Sequence, residues 1–243
     1  MIPKKIHYFW FGGGEKPKSV KKCIDSWKKF CPDYEIIEWN ENNFDVHCMP
    51  FVEQAYDAKK FAFVSDVARL IVVYEQGGIY MDTDVEVIKP LDDLLKNKAY
   101  MSFENNEYIN SGQGFGSEAG VEFFKEHIDE YKDEVFVNED GSLNMLGCPR
   151  VATRLLVKKG IELNGKEQIV DDVHIYPAEY FNPYDSITGR LNKTENTYSI
   201  HWYDQSWGND SKFKKRLTQL IHRVFGKNSL SWLKRILGNK NEN

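Results

Sequence analysis

The sequence has no run of apolar residues long enough to cross a bilayer, which removes a membrane-spanning helix from the possible readings. Cysteine is scarce. Cys23, Cys31, Cys48 and Cys148 show neither metal-ligand spacing nor a paired framework, so a structural zinc site and a disulfide scaffold are excluded. No secretory leader precedes them, and a reducing cytoplasm is the expected setting. Internal repeats and low-complexity tracts are also missing, which excludes a stacked solenoid. Nor is there an overall excess of positive charge. The net charge is −5, and residues 212–243 hold nine lysines and arginines against one acid, Glu242, a local +8 that leaves −13 on residues 1–211. An acidic body with a basic tail argues against a general nucleic-acid binder.

What remains is enough for one substantial core. With 41% hydrophobic content in 243 residues, one main domain over 1–211 and a helical appendage over 212–243 are expected. Aromatics make up 14%, and their flat faces suit a carbohydrate or nucleotide site, although core filling accounts for them equally well. The first run, Ile6 to Phe11, reads as a buried strand that stops at Gly12-Gly13-Gly14, the place where α/β folds admit a nucleotide. Ser19 should cap a helix whose apolar face is Val20, Cys23, Ile24, Trp27 and Phe30, ending before Pro32. Residues 35–39 read as a second strand and residues 51–60 as another helix. This order is an α/β nucleotide-binding pattern.

The most informative stretch is Gly77-Gly78-Ile79-Tyr80-Met81-Asp82-Thr83-Asp84. Val67, Leu70, Ile71 and Tyr74 recur at helical spacing behind Ser65, taken as the N-cap, and the glycine pair ends the helix. Residues 79–87 are expected to be one strand, which would aim Asp82 and Asp84 to the same face where it leaves the sheet. Adjacent carboxylates repel unless a cation or solvent intervenes. Their hard oxygens suit Mg²⁺ or Mn²⁺ with positions left open for phosphate. One helix upstream, Asp66 and Arg69 share a helical face.

Together, Ser65-Asp66-Val67-Ala68-Arg69 and Gly77 through Asp84 resemble the sugar-binding region of DXD glycosyltransferases of family 32. That family includes capsule and surface-polysaccharide transferases and yeast mannosyltransferases, and its catalytic core is similar to that of the large clostridial glucosylating toxins. The resemblance implies an α/β, GT-A-like fold with a mixed central sheet flanked by helices. It also implies a retaining hexosyltransferase that uses a nucleotide sugar, a UDP-sugar first, and Mn²⁺ or Mg²⁺. Asp84 would be the principal metal ligand, and Asp82 would act through the metal, its water or donor hydroxyls. Asp66 and Arg69 match positions that contact the transferred sugar, Tyr80 lies close to the donor, and Phe9 and Trp10 fall at the strand end where a tryptophan stacks on the donor base.

Later segments complete the expected site. Residues 104–116 read as a polar loop rich in amide side chains, Val121, Phe124, Ile128 and Tyr131 mark a helix, and Pro149 stands where another begins. Residues 198–202 read as a late strand. Related transferases close the metal site from such a segment, so His201 is the expected third ligand, with Asp204 and Asp210 as alternatives, and Ser206 and Trp207 the expected β-phosphate contacts. The tail pairs an apolar helical face (Phe213, Leu217, Leu220, Ile221, Val224, Phe225) with lysines and arginines. This pattern is that of a peripheral anchor on an anionic membrane, here the inner face of the cell membrane, where a glycan or lipid-linked acceptor would be met. Two other classes use similar residues: a sugar-nucleotide-binding protein without turnover, and a metal-dependent phosphodiester hydrolase.

Overall fold

The computed structural model describes residues 1–204 and 212–226. The chain runs through β1 (Lys5–Phe9), α1 (Lys18–Phe30), β2 (Glu35–Trp39), α2 (Pro50–Asp57), α3 (Phe61–Gln76), β3 (Gly78–Tyr80) and β4 (Val85–Val87). It continues with β5 (Ala99–Ser102), β6 (Phe115–Ser117), α4 (Glu122–Asp129), α5 (Cys148–Lys158), β7 (Gln168–Val170) and β8 (Val173–Tyr176). The described part closes with β9 (Tyr184–Asp185), β10 (Arg190–Leu191), β11 (Ser199–His201) and α6 (Lys212–Phe225). Seven strands form one mixed sheet in the order β2-β1-β3-β6-β5-β8-β7. The pairings β2–β1, β1–β3 and β5–β8 are parallel, and those of β6 and β7 with their neighbours are antiparallel.

Alternation along β1 divides the interior in two. Ile6 and Tyr8 join the core under α1 with Val20, Ile24 and Trp27, whereas Phe9 points into the larger core formed with α2 to α5. A sheet covered on both faces needs apolar residues in both directions, which is why the first strand reads as a continuous apolar run. Burying Trp27 completely is tolerable because its indole N–H donates to the Val85 carbonyl at 2.8 Å.

The element that positions the site is α3. It begins a turn earlier than expected, at Phe61, so Ser65 is not its N-cap but lies inside it, with Oγ donating to the Ala62 carbonyl at 2.8 Å. The cause is the apolar Phe61–Val64 stretch, which packs on the larger core and extends the helix backwards. Ser19 is likewise within α1, which starts at Lys18 after Pro17. The helix α2 is shorter than 51–60, ending at Asp57. At the other end of α3, Gly77 (φ +64°) and Gly78 (φ +111°) adopt backbone conformations that side chains resist, and a Cβ on Gly77 would lie 2.9 Å from the Ala119 nitrogen. They turn the chain directly into β3.

The single strand expected over 79–87 is two strands with a break at the acids. β3 ends at Tyr80, Asp82 donates its N–H to the Gly112 carbonyl at 3.1 Å, and a turn from the Asp82 carbonyl to the Val85 N–H (3.0 Å) redirects the chain. β4 then leaves the main sheet to pair antiparallel with β11. The loop expected over 104–116 contains part of β6, and β7, β9 and β10 are short strands that periodicity does not reveal. Among the described residues no helix is long and apolar enough to cross a membrane. Helix α6 holds the β9–β10 hairpin: Gln219 donates to the Ser186 carbonyl (3.0 Å) and Arg223 to the carbonyls of Thr188 (3.1 Å) and Gly189 (2.8 Å).

Candidate active site

Two backbone pairings bring the acidic pair and the late histidine together. In the β4–β11 ladder His201 stands opposite Val85, one residue after Asp84, so its imidazole reaches the Asp84 carboxylate, with Nε2 at 3.3 Å from Oδ1. The other Asp84 oxygen accepts the Asp204 N–H at 2.8 Å, and the Trp202 N–H donates to the Asp84 carbonyl at 3.1 Å. Asp204 therefore supports Asp84 through its backbone. One ligand atom from each of Asp82, Asp84 and His201 lies within 4.8 Å of the other two, the arrangement expected of a divalent-cation site. Of the two late residues expected here and described in the structure, His201 brings its side chain beside the acids, whereas Asp204 meets Asp84 through its backbone N–H. Asp210, Ser206 and Trp207 lie outside the described residues.

Asp82 is held from the other side. Its carboxylate accepts the Tyr80 hydroxyl and lies 3.5 Å from Nη2 of Arg69, whose guanidinium covers the Tyr80 ring at 4.6 Å. Arg69 also donates to Asp66 (Nη2 to Oδ1, 2.6 Å) and, through Nε, to the Ser65 carbonyl at 2.7 Å. The second Asp66 oxygen accepts the Cys148 N–H at 3.2 Å, at the first residue of α5. A carboxylate there is stabilised by the unpaired amides of the helix start. The (i, i+3) spacing of Asp66 and Arg69 thus serves a buried ion pair that orients Asp82. Arg69 is only 2% exposed, Asp66 8% and Tyr80 2%, so these side chains form the floor of the site.

Their neighbours separate the two acids electrically. Burial would raise the pKa of Asp84, but the charge and hydrogen bond of His201, with the Asp204 N–H, hold it below the ordinary value. Burial raises that of Asp82 against the opposing charge of Arg69, and the negative Asp84 adds to the rise. For His201, burial acts downwards but is outweighed by Asp84, so its pKa lies above the usual imidazole value. The cluster concentrates negative charge that a cation would neutralise.

The strand end expected to meet a donor base divides its roles. Phe9 is buried among Phe11, Trp39, Phe44 and Tyr80, so its expected donor contact is corrected: the alternation of β1 turns it into the core beneath Tyr80. Trp10 faces the opposite way, half-buried, and its indole N–H donates to the Gly14 carbonyl at 2.6 Å, tying it to the glycine loop. Four further participants emerge only from the fold: Glu104, Asn110 and Gly112 on the β5–β6 loop, and the Cys148 amide. Gly112 is pressed so closely on the site that a Cβ there would lie 2.4 Å from Asp82 Oδ2 and 3.0 Å from Arg69 Nη1. The amide-rich composition of the loop and Pro149 at a helix start were the only sequence signals for these contacts.

Residues 17–101 match the family described as glycosyltransferase sugar-binding region containing DXD motif, a stretch that holds Asp66, Arg69, Asp82 and Asp84. Inositol phosphoceramide mannosyltransferase 3 of Schizosaccharomyces pombe is 35% identical over 107 residues, covering 41% of this chain and 29% of the relative. The initiation-specific alpha-1,6-mannosyltransferase of Candida albicans is 28% identical over 134 residues, 49% of this chain and 32% of the relative. The chain thus spans about a third of the length of these curated relatives. Among solved structures, the PaToxG glycosyltransferase superposes with a TM-score of 0.52 at 20% identity, over 65% of this chain and 69% of that one. The fold is that of the GT-A glycosyltransferases, and Asp82 and Asp84 at the β3–β4 break have the D-x-D spacing that the description of the matched region names.

Proposed function

We propose that the chain is a metal-dependent, retaining glycosyltransferase. It moves a hexose from a nucleotide-diphosphate donor, a UDP-sugar, to a hydroxyl of a glycan or lipid-linked oligosaccharide in surface polysaccharide or capsule synthesis. The observation that carries this reading is the convergence of Asp82 and Asp84, from the turn between β3 and β4, with His201 from β11. Two carboxylates and an imidazole fit Mn²⁺ or Mg²⁺, and Asp84, already braced by Asp204, is the principal ligand. When bound, the cation supplies Lewis-acid stabilisation of the negative charge that builds on the departing diphosphate. The chain's own part is positional. Arg69 and Tyr80 fix the Asp82 carboxylate, the α5 amide fixes Asp66 beside them, and the polar β5–β6 loop covers the adjoining space with groups able to meet sugar hydroxyls.

A mannosyl donor is the second reading, favoured by the names of the fungal relatives. The distinguishing experiment is product analysis with a panel of UDP- and GDP-sugars, with Mn²⁺ and with chelator, following the anomeric proton of the product by NMR. Metal-dependent loss of one sugar with its anomeric configuration kept supports the proposal. Cleavage between the phosphates would instead identify a phosphodiester hydrolase, and binding without turnover a non-catalytic protein.

Attachment to the inner face of an anionic membrane belongs to the same proposal. Supporting it, α6 turns Gln219 and Arg223 towards the hairpin while Leu220, Val224 and Phe225 are 55%, 66% and 74% exposed. An amphipathic helix docked by its polar side presents its apolar side outwards, and the basic tail supplies charge complementary to anionic lipid.

A further inference from the structure

The two halves of the metal site are held by different parts of the chain, and one side chain joins them. Glu104 lies at the base of the loop after β5, its N–H donating to the Tyr108 carbonyl at 2.7 Å. On one side its Oε2 accepts Nδ2 of Asn110 at 3.0 Å. The Asn110 Oδ1 in turn accepts the Gly112 N–H at 2.6 Å, and Gly112 both receives the Asp82 N–H and abuts its carboxylate. On the other side, burial and then the negative Glu104 carboxylate push the pKa of the Tyr203 hydroxyl up. The Tyr203 ring stacks on His201 with centroids 4.1 Å apart, and Tyr203 adopts a left-handed backbone conformation (φ +50°). That conformation delivers the next residue, Asp204, to the Asp84 carboxylate. Asn182 bridges the same point, its Nδ2 lying 2.7 Å from the Tyr203 oxygen and 2.9 Å from the Glu104 carbonyl.

We propose that Glu104 is the positioning residue of the metal site: through Asn110 and Gly112 it sets Asp82, and through Tyr203 it sets His201 and the Asp204 amide that steadies Asp84. This inference rests on the reading of Asp82, Asp84 and His201 as metal ligands. It assigns to Glu104 no contact with substrate. A left-handed backbone is unfavourable for a non-glycine residue and persists only where its surroundings over-determine it. Here a ring stack, the Asn182 hydrogen bond to the Tyr203 hydroxyl and the amide contact at Asp84 do so. Hydrogen-bond partners one step removed from a metal typically alter its affinity by about 10–100-fold, which sets the scale expected for losing Glu104.

The test is Mn²⁺ affinity, read from the EPR signal of the free ion, for the wild type, Glu104→Ala, Tyr203→Phe and the double variant, with thermal unfolding alongside. Tyr203→Phe removes one oxygen and keeps the stacked ring, so it remains a folded probe if Glu104→Ala does not. Each single variant is expected to weaken Mn²⁺ binding by about ten-fold, and the double no further than Glu104→Ala, because Glu104→Ala already removes the connection that Tyr203→Phe removes. The KM for Mn²⁺ should rise by the same factor. Single variants within two-fold of wild type, whatever their melting temperatures, overturn the proposal, as do losses that multiply in the double variant. A wild type that binds no Mn²⁺ refutes the metal-site reading itself, and the inference falls with it.

Discussion

Replacing Gly112 with alanine tests how tightly the β5–β6 loop is fitted to the acidic pair. Its backbone does not adopt a left-handed conformation, so alanine brings no torsional penalty and the effect is steric alone. The added Cβ would meet Asp82 Oδ2 at 2.4 Å, Arg69 Nη1 at 3.0 Å and Asn110 Oδ1 at 3.1 Å. Restoring ordinary contact with the nearest of these requires a movement of about 1 Å, in a place where Asp82 is also tied to Tyr80 and Arg69. Overpacking of this kind destabilises by about 1–3 kcal/mol, and a misplacement of about 1 Å at a catalytic group costs up to about 10²-fold in rate. Chemical denaturation and kcat/KM for donor turnover, measured beside Gly14→Ala, read the two effects. A Cβ on Gly14 would meet nothing within 4 Å and Gly14 has no left-handed φ, so its variant should match wild type. Gly112→Ala with unchanged kcat/KM and unchanged stability would refute the fitted loop.

Asp66→Asn leaves the Arg69 charge buried with Asp82 as its remaining partner, and should destabilise the chain by about 3–5 kcal/mol in urea unfolding. His127 is fully buried, both ring nitrogens lack a partner in the described structure, and burial pushes its pKa down to about 3. Because the unfolded chain binds that proton near pH 6.5 and the folded chain does not, stability should fall as pH drops from about 6.5 towards 3, by about 2 kcal/mol at pH 5. His127→Leu should flatten that slope, and an unchanged slope would contradict the assignment. For membrane attachment, Leu220→Ser with Val224→Ser and Phe225→Ser should release the protein from anionic vesicles in a flotation assay, and unaltered flotation would count against it.

The parts of the fold legible in the sequence were those written in local spacing. The apolar run of β1, the 3.6-residue pattern of α3, the glycine pair at its end and the Asp66–Arg69 spacing depend on neighbours a few residues away. Boundaries failed where tertiary packing overrode a local signal, as when Phe61 to Val64 drew α3 past Ser65. The break after Tyr80 was hidden because its cause is distant: the Gly112 carbonyl that takes the Asp82 N–H, and β11, which draws β4 out of the main sheet. Periodicity could not tell which of His201 and Asp204 brings its side chain to Asp84, since that depends on the pairing of β11 with β4. The Cys148 amide at Asp66, 82 residues away, has no local signature beyond a proline at a helix start. Phe9 and Trp10, adjacent in sequence, were both placed at the donor, yet alternation along a strand allows only one of them to face outwards.

The most direct test of the account is sugar release from the preferred nucleotide sugar by the wild type and by Asp84→Asn, each with Mn²⁺ and with chelator. Asp84 accepts the Asp204 N–H and faces His201, so asparagine keeps the shape of the site while removing the charge that would hold the cation. The account predicts release by the wild type that requires the metal and falls by at least about 10²-fold in Asp84→Asn. Release that is indifferent to chelator, or an Asp84→Asn variant as active as wild type, would contradict it.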